Sequence, residues 1–542
     1  MWYNNFTIIC AYAQIKILWR KITMNKKFWL RLVAILVVLA SLLTVFVACD
    51  SGSDKEKGEK ETKPKETTPG NNDDSNSETD DVIVTEQGPP DNPPANNYNA
   101  TFNLSILPDS NSMNYFWVEE STGDAMSESI YTRQEKVKNH LGVTIIAKKA
   151  GSFQTYTADF KAEVDANTGS VHTLLTHVNT GVNSLITEGY IRDFQDQERI
   201  NLEEDYWNHD FMDALSIADH YFLGFSDFNI LYTHVITFNK KMLNQLNFID
   251  QHFTEAELYE SVRTGTWTVD RFLELATIGH HYDGKGQEVV GLSGQQWVPW
   301  IGFMQASGIN LVEQNDEGQY VISFYNDYNK EKCANLVEMF KEYSESGKCD
   351  LTYPDFVNPG VPAPKAQFKE SRALMALEST YSLPGITQTS DVSYGVLPYP
   401  LYDSEQFDPD PENESHGYRS LQWGGYLTIP IRLNGADNMV CDTLELLSYY
   451  SESVKFTFYE KLLGKQVAEA PDDREMLDIV WASVCTDFGQ TFSDASGTLY
   501  TFPYVTREES GKGLASWHES IKRSGDKKIK QFIAQVEKKF SN

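Results

Sequence analysis

The 542-residue chain carries 46 Lys and Arg against 77 Asp and Glu, a formal net charge of −31. Residues 1–48 hold six Lys or Arg and no acid, so the remainder carries −37, a balance that disfavours nucleic acid and anionic lipid surfaces as partners. The roughly 440 residues after Asn99 exceed the size at which one hydrophobic core stops growing, which predicts two lobes.

The first predicted element is not part of a fold. Lys26, Lys27 and Arg31 precede a nearly unbroken apolar run from Leu32 to Val47, and the small Ala48 stands just before Cys49. A basic start, an apolar stretch short for a full span and a small residue form a signal-peptide layout. It resembles the bacterial lipoprotein signal, in which Cys49 becomes the first mature residue and carries acyl chains; Phe46 departs from the Leu usual there. An uncleaved membrane anchor is the alternative, and either leaves the body outside a membrane. Residues 1–23 read as an upstream extension of a signal peptide at 24–48. From Asp50 to about Asn99 the chain is polar, with Gly88-Pro89-Pro90 and Pro93-Pro94, and lacks the apolar surface to fold. It reads, from the lipidated Cys49, as a disordered tether (49–99) with a reach of roughly 35 to 45 Å.

Beyond it, strands and helices alternate. Thr101–Leu107, Val143–Lys148 and Val171–His177 read as strands, with helices at Ser127–His140 (ended by Gly142) and Phe153–Ala166 between them. That spacing predicts βαβ units and a parallel sheet. Asn229–Phe238 is β-branched and aromatic; Thr268 is an N-cap candidate for a helix over Asp270–Ile278. Val289–Leu292, Arg372–Glu378, Tyr394–Pro398 and Gly425–Ile431 are predicted to be extended, and Trp300–Ala306 and Lys330–Ser346 helical. Cys441–Ser451, Ser453–Leu462, Arg474–Cys485 and Leu514–Phe540 are predicted helices. A continuous Lys330–Ser346 helix would hold Cys333 and Cys349 roughly 20 Å apart, so free thiols are expected.

Several segments, in serial order, are similar to the extracellular solute-binding proteins of ABC importers, in particular the sugar-binding-like (family 1) lipoproteins of Gram-positive bacteria. They are Tyr206-Trp207, Ile236-Thr237-Phe238-Asn239-Lys240, Gly265-Thr266-Trp267-Thr268, Asp283-Gly284 with Gly291-Leu292, Arg372-Ala373-Leu374-Met375-Ala376, Tyr394 to Pro400 and Gly425 to Pro430. The resemblance implies an α/β, two-lobed, periplasmic-binding-protein-like (type II) fold. Each lobe would be a mostly parallel sheet flanked by helices, with hinge crossings at Asn229–Phe238 and Gly425–Ile431. Lobe 1 is expected at about 100–230 and 426–470, lobe 2 at about 238–424 with parts of 471–542.

A sugar presents apolar faces and polar edges, so its cleft needs flat aromatics beside hydrogen-bonding groups. Gln296, Trp297 and Trp300 follow a strand, where ligands bind in open α/β sheets; packing in the lobe core is the alternative for both Trp. By the resemblance, Tyr381 takes the place of a stacking aromatic, with packing at the hinge as the alternative. Asp109, Asn111 and Asn179 follow strands and face the same cleft, or serve only as turn formers. Tyr232 and Trp423 flank the crossings and line the hinge floor, or pack it. His280-His281-Tyr282-Asp283 has no third ligand and reads as a solvated loop, and Asp283-Gly284-Lys285-Gly286 as a turn without enough oxygens for calcium. No metal, cofactor or catalytic residue is assigned. The expectation is a monomeric binding protein, not an enzyme, held by lipid at the outer face of the cell membrane, with a carbohydrate ligand and membrane permease subunits as partners. A secreted glycoside hydrolase and a transporter-independent sensor are the alternatives.

Overall fold

Phe102, Leu104 and Ile106 recur at every second position and are buried, so β1 (Ala100–Ile106) turns one face to a core. The computed structural model describes residues 90–106, 116–152, 155–177, 181–229, 233–246, 253–295, 298–352, 364–383, 385–386, 390–422, 424–458, 471–498 and 513–540. α1 (Ala125–Leu141) begins at Asp124, whose carboxylate accepts from the Met126 and Ser127 amides, and ends at Gly142, at φ 65°. β2 (Val143–Lys149) then pairs in parallel with β1 from Ala100↔Val143 to Ile106↔Lys149. α2 (Tyr156–Ala166) leads to β3 (Thr173–Leu174), parallel to the other side of β1, and to β4 (Thr176–His177). The expected single strand Val171–His177 is thus two. Leu175 still donates to Ser105 O (2.9 Å), but β4 pairs antiparallel with a segment 250 residues later, and the change of partner breaks the strand. α3 (Val182–Glu188) and α4 (His209–Ala214) complete this side.

β5 (His234–Asn239) is buried at every position, as a strand covered on both faces must be. After it come α5 (Lys240–Leu246), α6 (Glu255–Arg263) and α7 (Val269–Gly279). Thr254 and Glu257 form a capping box on α6, and the Thr268 side chain caps α7 by accepting from the Arg271 amide. β6 (His281–Tyr282) turns into β7 (Glu288–Gln295) at Asp283, whose carboxylate accepts from Gln287 N and Lys285 N at 2.8 Å, bonds that hold its pKa below the usual range. The sheet is completed through α8 (Val298–Ala306), the hairpin β8 (Val312–Gln314) and β9 (Tyr320–Ile322), α9 (Lys330–Glu345), β10 (Cys349–Thr352), α10 (Pro364–Lys369), β11 (Ala373–Ser379) and β12 (Tyr394–Leu397). Its order is β10-β7-β11-β5-β12; β7 is parallel to β10 and β11, whereas β5 is antiparallel to β11 and β12.

The chain returns through β13 (Ser420–Leu421) and β14 (Gly424–Tyr426) into α11 (Asp437–Tyr449), α12 (Ser451–Thr457) and α13 (Pro471–Ala482). β15 (Val484–Cys485), α14 (Phe488–Thr491), α15 (Ser493–Ser496) and the 27-residue α16 (Leu514–Phe540) follow. The helix expected at Arg474–Cys485 stops at Ala482. Ser483 Oγ donates to Ser420 Oγ (2.7 Å), and Val484 and Cys485 leave the helix to pair with Ser420 and Leu421. Of the helix expected over Ser453–Leu462, residues 459–462 lie outside the described residues. Cys333, Cys441 and Cys485 are free thiols.

α11 ties the first side together through acids. Asp442, fully buried, accepts from Arg199 Nε (2.6 Å) and Nη2 (2.7 Å) and from Tyr98 Oη (2.6 Å). Glu445, also fully buried, accepts from Tyr206 Oη at 2.5 Å and Trp207 Nε1 at 3.2 Å, neither of them cationic. Burial therefore dominates and pushes its pKa up to about 7.

Two expectations follow. The backbone of α7 lies so close to β7 that a Cβ on Gly291 would collide with the Ala276 carbonyl oxygen; Gly291→Ala should lower stability by about 2 to 3 kcal/mol in urea unfolding. For Glu445, the folded pKa lies above the unfolded one. Its contribution to stability is full below about pH 4.5 and is lost as pH rises through about 7. The stability of the natural chain minus that of Glu445→Gln should therefore fall by about 3 kcal/mol between pH 4.5 and 8, read by thermal or urea unfolding.

Candidate ligand cleft and hinge

Two segments of chain pass between the sheets side by side and antiparallel. Gly224 and Leu427 exchange both backbone hydrogen bonds at 2.9 Å, and further along Thr233 pairs with Gln422. One end of this ribbon is fastened to the first sheet: Gly424 pairs with His177, Tyr426 with Thr176, and Thr428 exchanges hydrogen bonds with Thr173 and Leu174. The other end runs into β5 and β13. Cys485 joins as a third strand, its carbonyl accepting from Gln422 N at 2.9 Å.

Gln422 is the centre of this crossing. It is fully buried, and both ends of its amide are used. Oε1 accepts from Thr233 Oγ1 (3.2 Å), while Nε2 donates to the carbonyls of Asn229 (3.1 Å) and Gly424 (2.7 Å). Asn229 Nδ2 donates in turn to Gly425 O, and its Oδ1 accepts from Ser226 N at 3.0 Å. Thr233 N donates to Thr380 Oγ1 (3.1 Å), and Thr380 N returns a bond to Thr233 O (2.8 Å). Asn229, Thr233 and Thr380 are likewise fully buried. Gly424 and Gly425 adopt φ 132° and 81°, which an L side chain resists, so the ribbon bends where only glycine is comfortable.

Three of the sequence-predicted ligand residues adjoin this network in the chain. Tyr232 precedes Thr233, Tyr381 follows Thr380 and Trp423 follows Gln422. Tyr232 and Trp423 themselves lie outside the described residues, as do Gln296, Trp297, Asp109, Asn111, Asn179 and Cys49. Tyr381 lies in the 3₁₀ turn Thr380–Ser382 and Trp300 in the first turn of α8, where the backbone alone is described. Asp109 and Asn111 follow the carboxyl end of β1, Asn179 that of β4, and Gln296 and Trp297 that of β7.

Nearby, Arg419 Nη2 donates to Asn310 Oδ1 (2.8 Å) and Gln305 Oε1 (3.2 Å), fixing the end of α8 beside β13. Asp487 accepts from the amides of Leu311 (2.7 Å) and Gln490 (2.6 Å), and its burial pushes its carboxyl up to about 6. His280 pairs with Glu288 (3.1 Å), and among the described residues no cluster of His, Cys, Asp or Glu has the makings of a metal site. The network residues Gln422, Asn229, Thr233 and Thr380 were not singled out by sequence; the adjacent Gly424-Gly425 pair was the available signal.

The chain is similar to the ABC transporter associated binding protein of B. animalis subsp. lactis Bl-04, solved with beta-1,6-galactobiose. The two share 11% identity over 79% of this chain and 98% of the other, with a TM-score of 0.52. It is similar to the same degree to UgpB from Mycobacterium tuberculosis, solved with glycerophosphocholine: 13% identity, 79% and 98% coverage, TM-score 0.52. The fold is thus the two-lobed, type II periplasmic-binding-protein-like fold, with the chain crossing between the lobes. No protein-family model and no curated protein matches the chain.

Removing the Gln422 side chain would take one hydrogen bond from the buried Thr233 hydroxyl and one from each of two buried carbonyls. Gln422→Ala should cost about 3 kcal/mol in urea unfolding, whereas Thr233→Val should cost about 1 to 2. In the double variant the two losses should overlap by about 1 kcal/mol, because they remove one shared bond.

Proposed function

We propose that this chain is the substrate-binding lipoprotein of an ABC importer, a receptor without catalytic activity that closes two lobes on a carbohydrate and presents it to a membrane permease. The observation that carries the reading is the meeting of Thr233, Thr380 and Gln422 between two sheets; Tyr232, Tyr381 and Trp423, their neighbours in the chain, are the aromatic residues assigned to the cleft by this reading. Aromatic faces stack on the apolar faces of a sugar ring, and the polar residues that follow β1, β4 and β7 supply partners for its hydroxyls. The ligands of the two similar structures, a galactobiose and a glycerol-based phosphodiester, are small solutes bearing several hydroxyls.

Mechanism follows from the hinge. Lobe 1, about 100–230 and 426–470, and lobe 2, about 238–424 with parts of 471–542, rotate about the ribbon and bury the ligand between them. The network at Gln422 is uncharged and internally satisfied, so it holds the pivot without drawing in water or ions. A permease that binds only the closed form selects loaded protein by differential affinity. Cys49, acylated, with residues 49–99 as a leash at the outer face of the membrane, raises the effective concentration of the receptor at that permease. The working unit is a monomer, and no cofactor takes part.

The test is a thermal-shift screen of oligosaccharides, sugar acids and oligopeptides, since a ligand of the closed state stabilises by mass action. A sugar at a hundred times its Kd should stabilise by about 2.7 kcal/mol. Trp423→Ala and Tyr381→Ala should each weaken that sugar about tenfold by titration. Turnover of a glycan without a shift would identify a glycoside hydrolase instead, with two carboxylates about 5 to 10 Å apart.

A further inference from the structure

α16 runs against the charge of the molecule. It holds seven Lys or Arg and three Asp or Glu, a net +4, so the rest of the chain carries −35. Its buried face is His518, Gly525, Ile529, Phe532 and Val536. On the opposite face Arg523, Lys527 and Lys530 recur at i, i+4 and i+7, and Lys538 continues the line two turns on, all of them exposed. Lys538, in the last turn, complements the helix dipole. Arg523, Lys527 and Lys530 sit in mid-helix, and none has a carboxylate partner among the described residues; within the helix Lys522 pairs with Asp526 and His518 with Glu519.

We propose that this outward face of α16 docks on an anionic phospholipid surface. The geography rests on the lipid-tethered reading above. Lys539, at the end of α16, donates to Thr187 O, Tyr190 O accepts from Ile431 N, and Gly435 lines one cavity of about 390 Å³ with Tyr98. Short links thus connect the end of the helix to the place where the tether enters the folded body. The overall charge of the chain opposes contact through most of its surface, but the Debye length at physiological salt is about 8 Å, less than the helix diameter of roughly 10 Å. A membrane facing α16 therefore senses the basic line together with Glu519 and Glu537, which are exposed on the same face, an excess of two positive charges over Arg523, Lys527, Lys530 and Lys538, while the acids on the body behind the helix are screened. Each such base contributes roughly fivefold to partitioning.

The experiment uses the mature chain from residue 49 with Cys49→Ser, so that no acyl chain contributes, co-sedimented with vesicles of phosphatidylcholine alone or mixed with phosphatidylglycerol. Binding is expected to the anionic vesicles only, to fall with added salt, and to drop on the order of a hundredfold in Arg523→Glu/Lys527→Glu/Lys530→Glu. An unchanged melting curve would show that the variant folds. Equal binding by the variant, equal binding to neutral vesicles, or no binding at low salt would overturn the proposal. So would salt-sensitive self-association lost in the variant, since the acidic body of a second copy would then be the occupant. Thermal shifts with sugars on the same preparations report separately on the receptor reading, which stands if the vesicles fail and the shifts remain.

Discussion

The molecule depends on a buried amide that is hydrogen-bonded at both ends. Gln422 accepts from Thr233, donates to the carbonyls of Asn229 and of Gly424 on its own strand, and passes its backbone N–H to Cys485, so the two crossing segments and the strand at residue 485 are indexed to one residue. Buried polar groups without partners cost more than paired ones return, so such a network tolerates few alternative arrangements. That is a useful property at a pivot. The strands on either side can twist by small changes in φ and ψ, while the point they turn about stays in register.

On either side of the pivot the sheets are built differently for one reason. In the first, β1 lies between β2 and β3 with parallel neighbours, as helical crossovers require. In the second, the parallel set β10-β7-β11 receives β5, the strand that arrives from the other side. It enters antiparallel and keeps its hydrogen bonds to β12 beyond it. The incoming direction of one strand thus sets the mixed character of that sheet. Rigidity away from the pivot comes from close approach, as at Gly291 under Ala276, and from the acids of α11 held by Arg199, Tyr98, Tyr206 and Trp207.

Much of this architecture was legible in the sequence because it is local. Alternation gave β1 and β2, the Thr268 cap and the Gly142 stop gave the ends of two helices, and Leu514–Phe540 is helical over the whole expected range. What was not legible depends on partners far along the chain. The break at Leu175 follows from pairing with residues 424–426, and Cys485 became a strand because Ser420 and Leu421 were waiting beside it. The hinge amides were hidden for the same reason, since Gln422 and Asn229 meet across 193 residues. In the candidate site, Tyr232, Tyr381 and Trp423 were read from the sequence, whereas the buried polar residues next to them in the chain, Thr233, Thr380 and Gln422, were not. The basic line on α16 was present in the sequence but submerged in a strongly acidic total.

α16 also constrains motion. Near its middle, Asp526 accepts from the Ile322 amide on β9 and Lys522 reaches the Ile322 carbonyl; at its far end Phe540 packs on Phe222, with ring centroids 4.7 Å apart, and Lys539 reaches α3. A single rod of roughly 40 Å therefore fastens the first side of the molecule to the β8–β9 hairpin of the second. Any displacement of one against the other has to bend this helix or give up the contacts at its middle or its end.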